Sequence, residues 1–173
     1  MDRADQKKII NMAFVERQNQ PPITLNKETI QIPVKDIVWH HVTLSGEFLN
    51  DKNIVLDNQI REEKAGFFIY TPFKILNSNK IILINRGWHP LTNSRKDIPH
   101  IPPIKEIQII EGQVSQMPSS GISLGKVVTE KLNESTFRLQ KMDYEVLSSL
   151  ISKDLMGYEV KLRKPTFDKT YVV

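Results

Sequence analysis

The stretch Gly66-Phe67-Phe68-Ile69-Tyr70-Thr71-Pro72-Phe73-Lys74-Ile75-Leu76-Asn77-Ser78-Asn79-Lys80-Ile81-Ile82-Leu83-Ile84-Asn85 decides how the rest of the chain is read. Two runs rich in aromatic and β-branched residues flank Asn77-Ser78-Asn79-Lys80, four residues of turn composition. That is the pattern of a β-hairpin. The run Ile81-Ile82-Leu83-Ile84 has no polar alternation, so the second arm is expected to be buried on both faces, as a central strand or a barrel wall.

The segments before the hairpin read as more strands. Val42-Thr43-Leu44-Ser45-Gly46-Glu47-Phe48 alternates, and Ile54-Val55-Leu56 is a short apolar run. Glu62-Glu63, between Arg61 and Lys64, reads as a solvated turn. Near the start, residues 3–18 have helical periodicity, with Ile9, Ile10, Met12, Ala13, Phe14 and Val15 forming a broad apolar face, until Pro21-Pro22 stops the helix. From Thr24 the period becomes two, with Ile30, Ile32 and Val34 alternating and Pro33 marking an edge or strand end.

After the hairpin, Ile98-Pro99-His100-Ile101-Pro102-Pro103-Ile104 is expected to be extended. Residues 106–115 read as a strand, with Ile107, Ile109 and the pair Gly112/Val114 in phase, and 115–125 as a Ser-, Pro- and Gly-containing loop. Asp143 is placed to cap a helix carrying Val146, Leu147, Leu150, Ile151 and Leu155, with Gly157 as its C′ residue. Tyr158-Glu159-Val160-Lys161-Leu162 is a last alternating strand. The expected fold is mainly β with flanking helices (α+β). It has an antiparallel sheet of about six or seven strands, closed as a small barrel or packed as a sandwich. One domain is expected over 1–173, with a helix in 1–20 and a β-rich core over 24–173.

Composition narrows the function. Apolar residues are 39% and charged residues 25% of 173, which is globular rather than disordered. Lys and Arg number 24 against 20 Asp and Glu, a net charge of +4, but the signs are mixed along the chain, and aromatics are not interleaved with a basic stripe. A basic β-barrel that binds nucleic acid is therefore a disfavoured alternative. Cysteine is absent, which removes disulfides, thiolate-held zinc, iron–sulfur clusters and thiol nucleophiles. No run approaches the roughly 18 apolar residues of a membrane span. The first residues, Met1-Asp2-Arg3-Ala4-Asp5-Gln6-Lys7-Lys8, do not form a signal peptide.

Enzyme signatures are missing. His40 and His41 are adjacent and expected on opposite faces of a strand, which makes a poor metal pair, and neither His89 nor His100 lies in a metal-binding motif. There is no nucleophile elbow, and Ser119-Ser120-Gly121 is more simply a loop. No phosphate-binding glycine pattern occurs. A hydrolase with a paired, titrating carboxylate is the remaining enzymatic alternative.

Asn85-Arg86-Gly87-Trp88-His89-Pro90 stands apart, because a buried strand is expected to end there in Arg-Gly-Trp and then Pro. Gly87 permits a backbone conformation that a side chain hinders, so Gly87→Glu is expected to destabilise through strain and a badly placed charge. Arg86 offers a planar fork to a carboxylate or to backbone carbonyls, and Trp88 can cover a flat ligand or plug a core. A ligand-facing pair and a structural clamp both satisfy these residues.

The order of these pieces resembles the Surfeit locus protein 1 family of cytochrome c oxidase assembly factors. The resemblance rests on Val42 to Phe48, then Gly66 to Phe73 with its Thr71-Pro72-Phe73, then Ile82 to Pro90 with Asn85-Arg86-Gly87-Trp88-His89-Pro90. Glu111-Gly112-Gln113-Val114, Met142-Asp143-Tyr144 and Leu155-Met156-Gly157-Tyr158 follow in the family's order, so it covers about residues 42–162. The shared motif set is Gly66, Tyr70, Pro72, Asn85, Arg86, Gly87, Trp88 and Pro90, and His89 departs from the family's small apolar residue.

The resemblance implies a non-enzymatic assembly factor for cytochrome c oxidase that aids maturation of the core subunit, with haem a delivery as a finer role. It implies a periplasmic or intermembrane-space domain held to the inner membrane by terminal helices that this chain lacks. Its partners would be the oxidase core subunit and other assembly factors, with no nucleic acid. No cofactor or metal is expected in this fragment, haem a being a candidate ligand of the full-length protein. Arg86 and Trp88 are then candidate contacts for a propionate and a porphyrin face. The competing reading within the family is a docking scaffold that binds no haem.

Overall fold

The computed structural model describes residues 2–91, 98–117 and 129–163. Helix α1 is Arg3–Gln18, followed by the short strand β1 (Ile23–Thr24), a 3-10 turn (Thr29–Gln31) and α2 (Val34–Ile37). Strands β2 (His41–Phe48), β3 (Asn53–Arg61), β4 (Lys64–Ile75), β5 (Ile81–Pro90) and β6 (Gln108–Gln116) follow. Next come β7 (Thr129–Asn133), β8 (Thr136–Leu139), α3 (Tyr144–Leu150) and β9 (Leu155–Leu162).

Five of these strands close on themselves in the order β2-β6-β9-β5-β4-β2, so the sheet is a barrel and not a sandwich. β5 and β9 run parallel and the other barrel pairs antiparallel, a Greek-key path of the OB-fold kind. Closure needs a close approach of β2 to β4. Gly46 faces Ile75 there, and a Cβ at Gly46 would overlap the Lys74 carbonyl and stand 2.7 Å from the Phe73 ring.

The hairpin of β4 and β5 forms as its sequence indicates, and β5 is buried on both faces over Ile81–Arg86. Ile82 and Ile84 point into the barrel with Val42, Leu44, Phe73, Ile110 and Val160. Ile81 and Leu83 point outward into a second core with Ile54, Leu56, Tyr70, Leu139, Leu147 and Leu155. Each such buried aliphatic side chain contributes on the order of 1.5–3 kcal/mol, which makes this strand the spine of the fold. Glu62 and Glu63 form the two-residue turn of the β3–β4 hairpin, with φ of +51° and +65°.

Several expectations are corrected. The alternation of Ile30, Ile32 and Val34 is not a strand, because the Asn26 side chain accepts from the Glu28 and Thr29 amides and winds the segment into a turn. Pro33 then leads into α2 instead of ending a strand. In β6 the even positions Ile110, Gly112 and Val114 face inward, so Ile107 and Ile109 face solvent. α3 stops at Leu150, and the Ser152 hydroxyl, accepting from the Asp154 amide, turns the chain. Leu155 and Gly157 therefore belong to β9, and Leu155 reaches the same core from a strand. β5 does not end at Arg86-Gly87-Trp88 but runs on to Pro90 through a bulge. The β7–β8 hairpin was not foreseen. α1 occupies the expected residues, but its apolar face is not buried: Ile9, Ile10, Met12 and Val15 are all exposed. Ser119-Ser120-Gly121 and most of the 115–125 loop lie outside the described residues.

Candidate functional site

The motif residues gather where β4 and β5 pair. Tyr70 faces Asn85 and Phe68 faces Trp88, so Arg86 and Gly87 together oppose Ile69. This bulge turns Arg86 to one side of the sheet and Trp88 to the other end of the hairpin. Gly87 has φ +116°, which other residues rarely adopt, and its amide donates to the Asn85 side chain at 2.9 Å.

Arg86 is 4% exposed. Its guanidinium donates to the Thr71 hydroxyl at 3.0 Å and to the Pro102 carbonyl at 3.4 Å, and its Cζ lies 5.9 Å from the centre of the Phe48 ring. The Thr71 hydroxyl donates to Asn53 at 2.7 Å, and the Asn53 amide donates to the Asn50 carbonyl at 3.1 Å. Asn50 then grips Ile104 with both side-chain atoms, at 2.9 and 3.0 Å. The polar chain is closed: it begins and ends on the segment 98–104, which lies as a strap over the barrel and plants Ile101 and Ile104 in two apolar clusters. Pro72 continues β4 beside these groups. Arg86 is thus engaged as a clamp on the strap.

Trp88 is half-buried. Its indole packs against Gly66, where a Cβ would overlap the ring and also stand 2.5 Å from the His89 carbonyl oxygen. Its Nε1 donates to the Gln59 carbonyl at 2.8 Å, and the Arg61 guanidinium sits 5.7 Å from the ring centre. Pro90 ends β5 opposite Gly66. His89 is buried against Phe67, and burial first and the Arg86 charge second lower its pKa to about 4, so it is neutral at physiological pH. The structure therefore brings all eight motif residues into one hairpin, with Arg86 and Trp88 serving different contacts.

Sequence reading missed one member. Glu159, on β9, is fully buried, and its Oε1 accepts from the Tyr70 hydroxyl at 3.2 Å. Asn85 donates to the same hydroxyl at 3.4 Å. Burial raises the Glu159 pKa to about 7, against the opposing pull of hydrogen bonds from Asn85 and Tyr70 and the charge of Lys161. Burial and the neighbouring carboxylate also drive the Tyr70 pKa well upward, so Tyr70 keeps its proton. Alternation had put Glu159 on the polar side of β9, but that side is covered by the second core.

His40 and His41 do not converge on a site, and the His40 pKa is lowered by burial and then by Arg17. Among the described residues no group of three or more His, Asp or Glu is placed to hold a metal. No helix among them is long and apolar enough to cross a membrane. A groove of about 410 Å³ opens on the outer barrel wall between Glu47, Lys74, Leu76 and Ile107. Ile109 lies beside it, paired with Ser45, whose carbonyl accepts from the Leu76 amide.

Comparison with known proteins finds relatives over much of the chain. A SURF1-like protein of Rickettsia bellii is 33% identical over 108 residues, covering 58% of this chain and 42% of its own length. Its counterpart in Rickettsia prowazekii is 26% identical over 149 residues, 80% of this chain and 58% of its own. The cytochrome oxidase assembly protein SHY1 of Saccharomyces cerevisiae is 30% identical over 67 residues, 39% of this chain and 17% of its own. The chain spans about half the length of the Rickettsia relatives it matches. The SURF1 family model matches residues 1–169, nearly the whole sequence, and the chain belongs to that family.

Proposed function

We propose that this chain is the extramembrane domain of a cytochrome c oxidase assembly factor, which acts by binding and not by catalysis. The observation that carries this reading is family membership over 1–169 together with likeness to a relative named as an oxidase assembly protein. Its partner is the core subunit of the oxidase during maturation, and the domain works on the periplasmic or intermembrane-space side of the inner membrane.

Within that role a docking scaffold is favoured over haem a delivery by this fragment. Arg86 is occupied by Thr71 and Pro102, and Trp88 by Gly66, Gln59 and Arg61. These internal contacts of both side chains support the scaffold reading. Solvent-facing Leu76, Ile107 and Ile109 around the barrel-wall groove supply instead the apolar surface that a protein contact uses. Deleting the gene and quantifying assembled oxidase on native gels tests the role. Loss of the complex, restored by a plasmid copy, supports it, and undiminished oxidase in cells that depend on it refutes it. Haem titration of the purified chain separates the two finer readings: the scaffold gives no saturable change in the haem spectrum.

A further inference from the structure

The carboxyl of Glu159 is 0% exposed, and its Oε2 has no hydrogen-bond partner. It sits on β9 opposite Leu83 of β5, in the parallel seam that completes the barrel, and that seam is already irregular between Ile81 and Leu83. The neighbouring strands bring Glu159 two polar groups and one nearby charge, that of Lys161. β4 contributes the Tyr70 hydroxyl, β5 the Asn85 amide, β6 the cross-strand Ser115, and β9 Lys161 two residues along. α3 contributes Leu147, Val146 and Leu150 to the core around Tyr70, its Glu145 being exposed, and β3 and β8 contribute Ile54, Leu56 and Leu139. Ser115 turns its hydroxyl to the Gln116 carbonyl. A carboxylate here would have one weak, 3.2 Å donor in Tyr70, help from Asn85, and a bare second oxygen. A carboxylic acid keeps the Tyr70 bond without a buried charge.

We propose that Glu159, Tyr70 and Asn85 form an internal single-proton site that holds the β5–β9 seam shut when Glu159 is a neutral acid and loosens it when Glu159 ionises. The site is distinct from the Arg86 strap, and it does not depend on the oxidase role.

The direction follows from linkage. A raised folded-state pKa, about 7 against 4.5 in the open chain, means that the closed seam holds the proton over a window in which the open one has lost it. Closure is favoured fully below about pH 4.5, and the advantage is lost as pH rises to about 7, where it levels off. The opening constant of the seam should rise roughly thirtyfold between pH 5 and 7 by this linkage. The test is carried out on the whole chain. Carboxyl-labelled glutamate followed by NMR reads the Glu159 carbon directly, and hydrogen exchange of the β9 amides, corrected for intrinsic rate, reads the seam. A Glu159 midpoint between 6 and 8 with roughly thirtyfold loss of β9 protection supports the proposal, as does loss of that pH dependence in Glu159→Gln. A midpoint below 5, or β9 protection with the same pH dependence in wild type and Glu159→Gln, overturns it. If the variant does not fold, the wild-type titration and exchange profile decide alone.

Discussion

Gly87 gives the most discriminating test of the hairpin account. It occupies the bulge opposite Ile69 at φ +116°, and a Cβ built there meets nothing within 4 Å. Any side chain at this position is therefore resisted by its own backbone and not by its neighbours. Such a conformation costs a non-glycine residue on the order of 1–3 kcal/mol. For a domain of this size that is a fall in Tm of roughly 2–4 °C per kcal/mol. The open space corrects the expectation drawn from sequence, in which a misplaced charge added to the strain. Gly87→Ala and Gly87→Glu should lose nearly the same stability, because the glutamate reaches solvent. The assay is urea unfolding of the purified chain followed by tryptophan fluorescence, with the m-value checked for constancy. An unchanged midpoint for Gly87→Ala would refute the strain argument. A Gly87→Glu loss more than about 1 kcal/mol beyond that of Gly87→Ala would show an electrostatic or packing cost that the geometry does not contain.

Three further outcomes are expected. Gly66→Ala should destabilise by about 1–3 kcal/mol in the same assay, since its methyl meets both the Trp88 ring and the His89 carbonyl, and the latter is fixed in the β4–β5 ladder. Arg86→Met should cost roughly 2–4 kcal/mol by leaving Thr71 and the Pro102 carbonyl short of a donor, and Arg86→Lys should not restore it, because an ammonium lacks the fork that spans both acceptors. Ile109→Asp should leave unfolding within about 0.5 kcal/mol of wild type, being 76% exposed, yet lower the amount of assembled oxidase when it replaces the wild-type gene. Normal assembly in that strain would remove Ile109 from the docking surface.

The parts of the fold that were legible in the sequence are those where one local signal dominates. The unbroken apolar run Ile81–Ile84 after a polar turn fixed both the hairpin and the double burial of β5. Asp143 announced α3, whose Val146 amide it caps at 3.2 Å. Signals that were compatible with two structures misled. Leu155 fits the helical spacing of α3 as well as the strand it occupies, and the isoleucines at 107 and 109 mimic an inward face that belongs to Ile110. β7 escaped notice because Thr129, Glu130, Lys131 and Asn133 carry no apolar alternation, as suits an exposed edge strand. The motif residues of the site were all visible in the sequence, but their tasks were not. Whether Arg86 reaches a ligand or clamps a strap depends on the path of residues 98–104, a long-range matter that no local pattern carries. Glu159 was hidden by the same rule that found its strand, because alternation assigns it to water while the second core covers it.

The central claim is that this chain serves oxidase assembly, and the reduced-minus-oxidised absorption spectrum of membranes from the deletion strain tests it most directly. The account predicts a diminished haem a band that a plasmid copy of the gene restores. An undiminished band in cells that rely on that oxidase would contradict it.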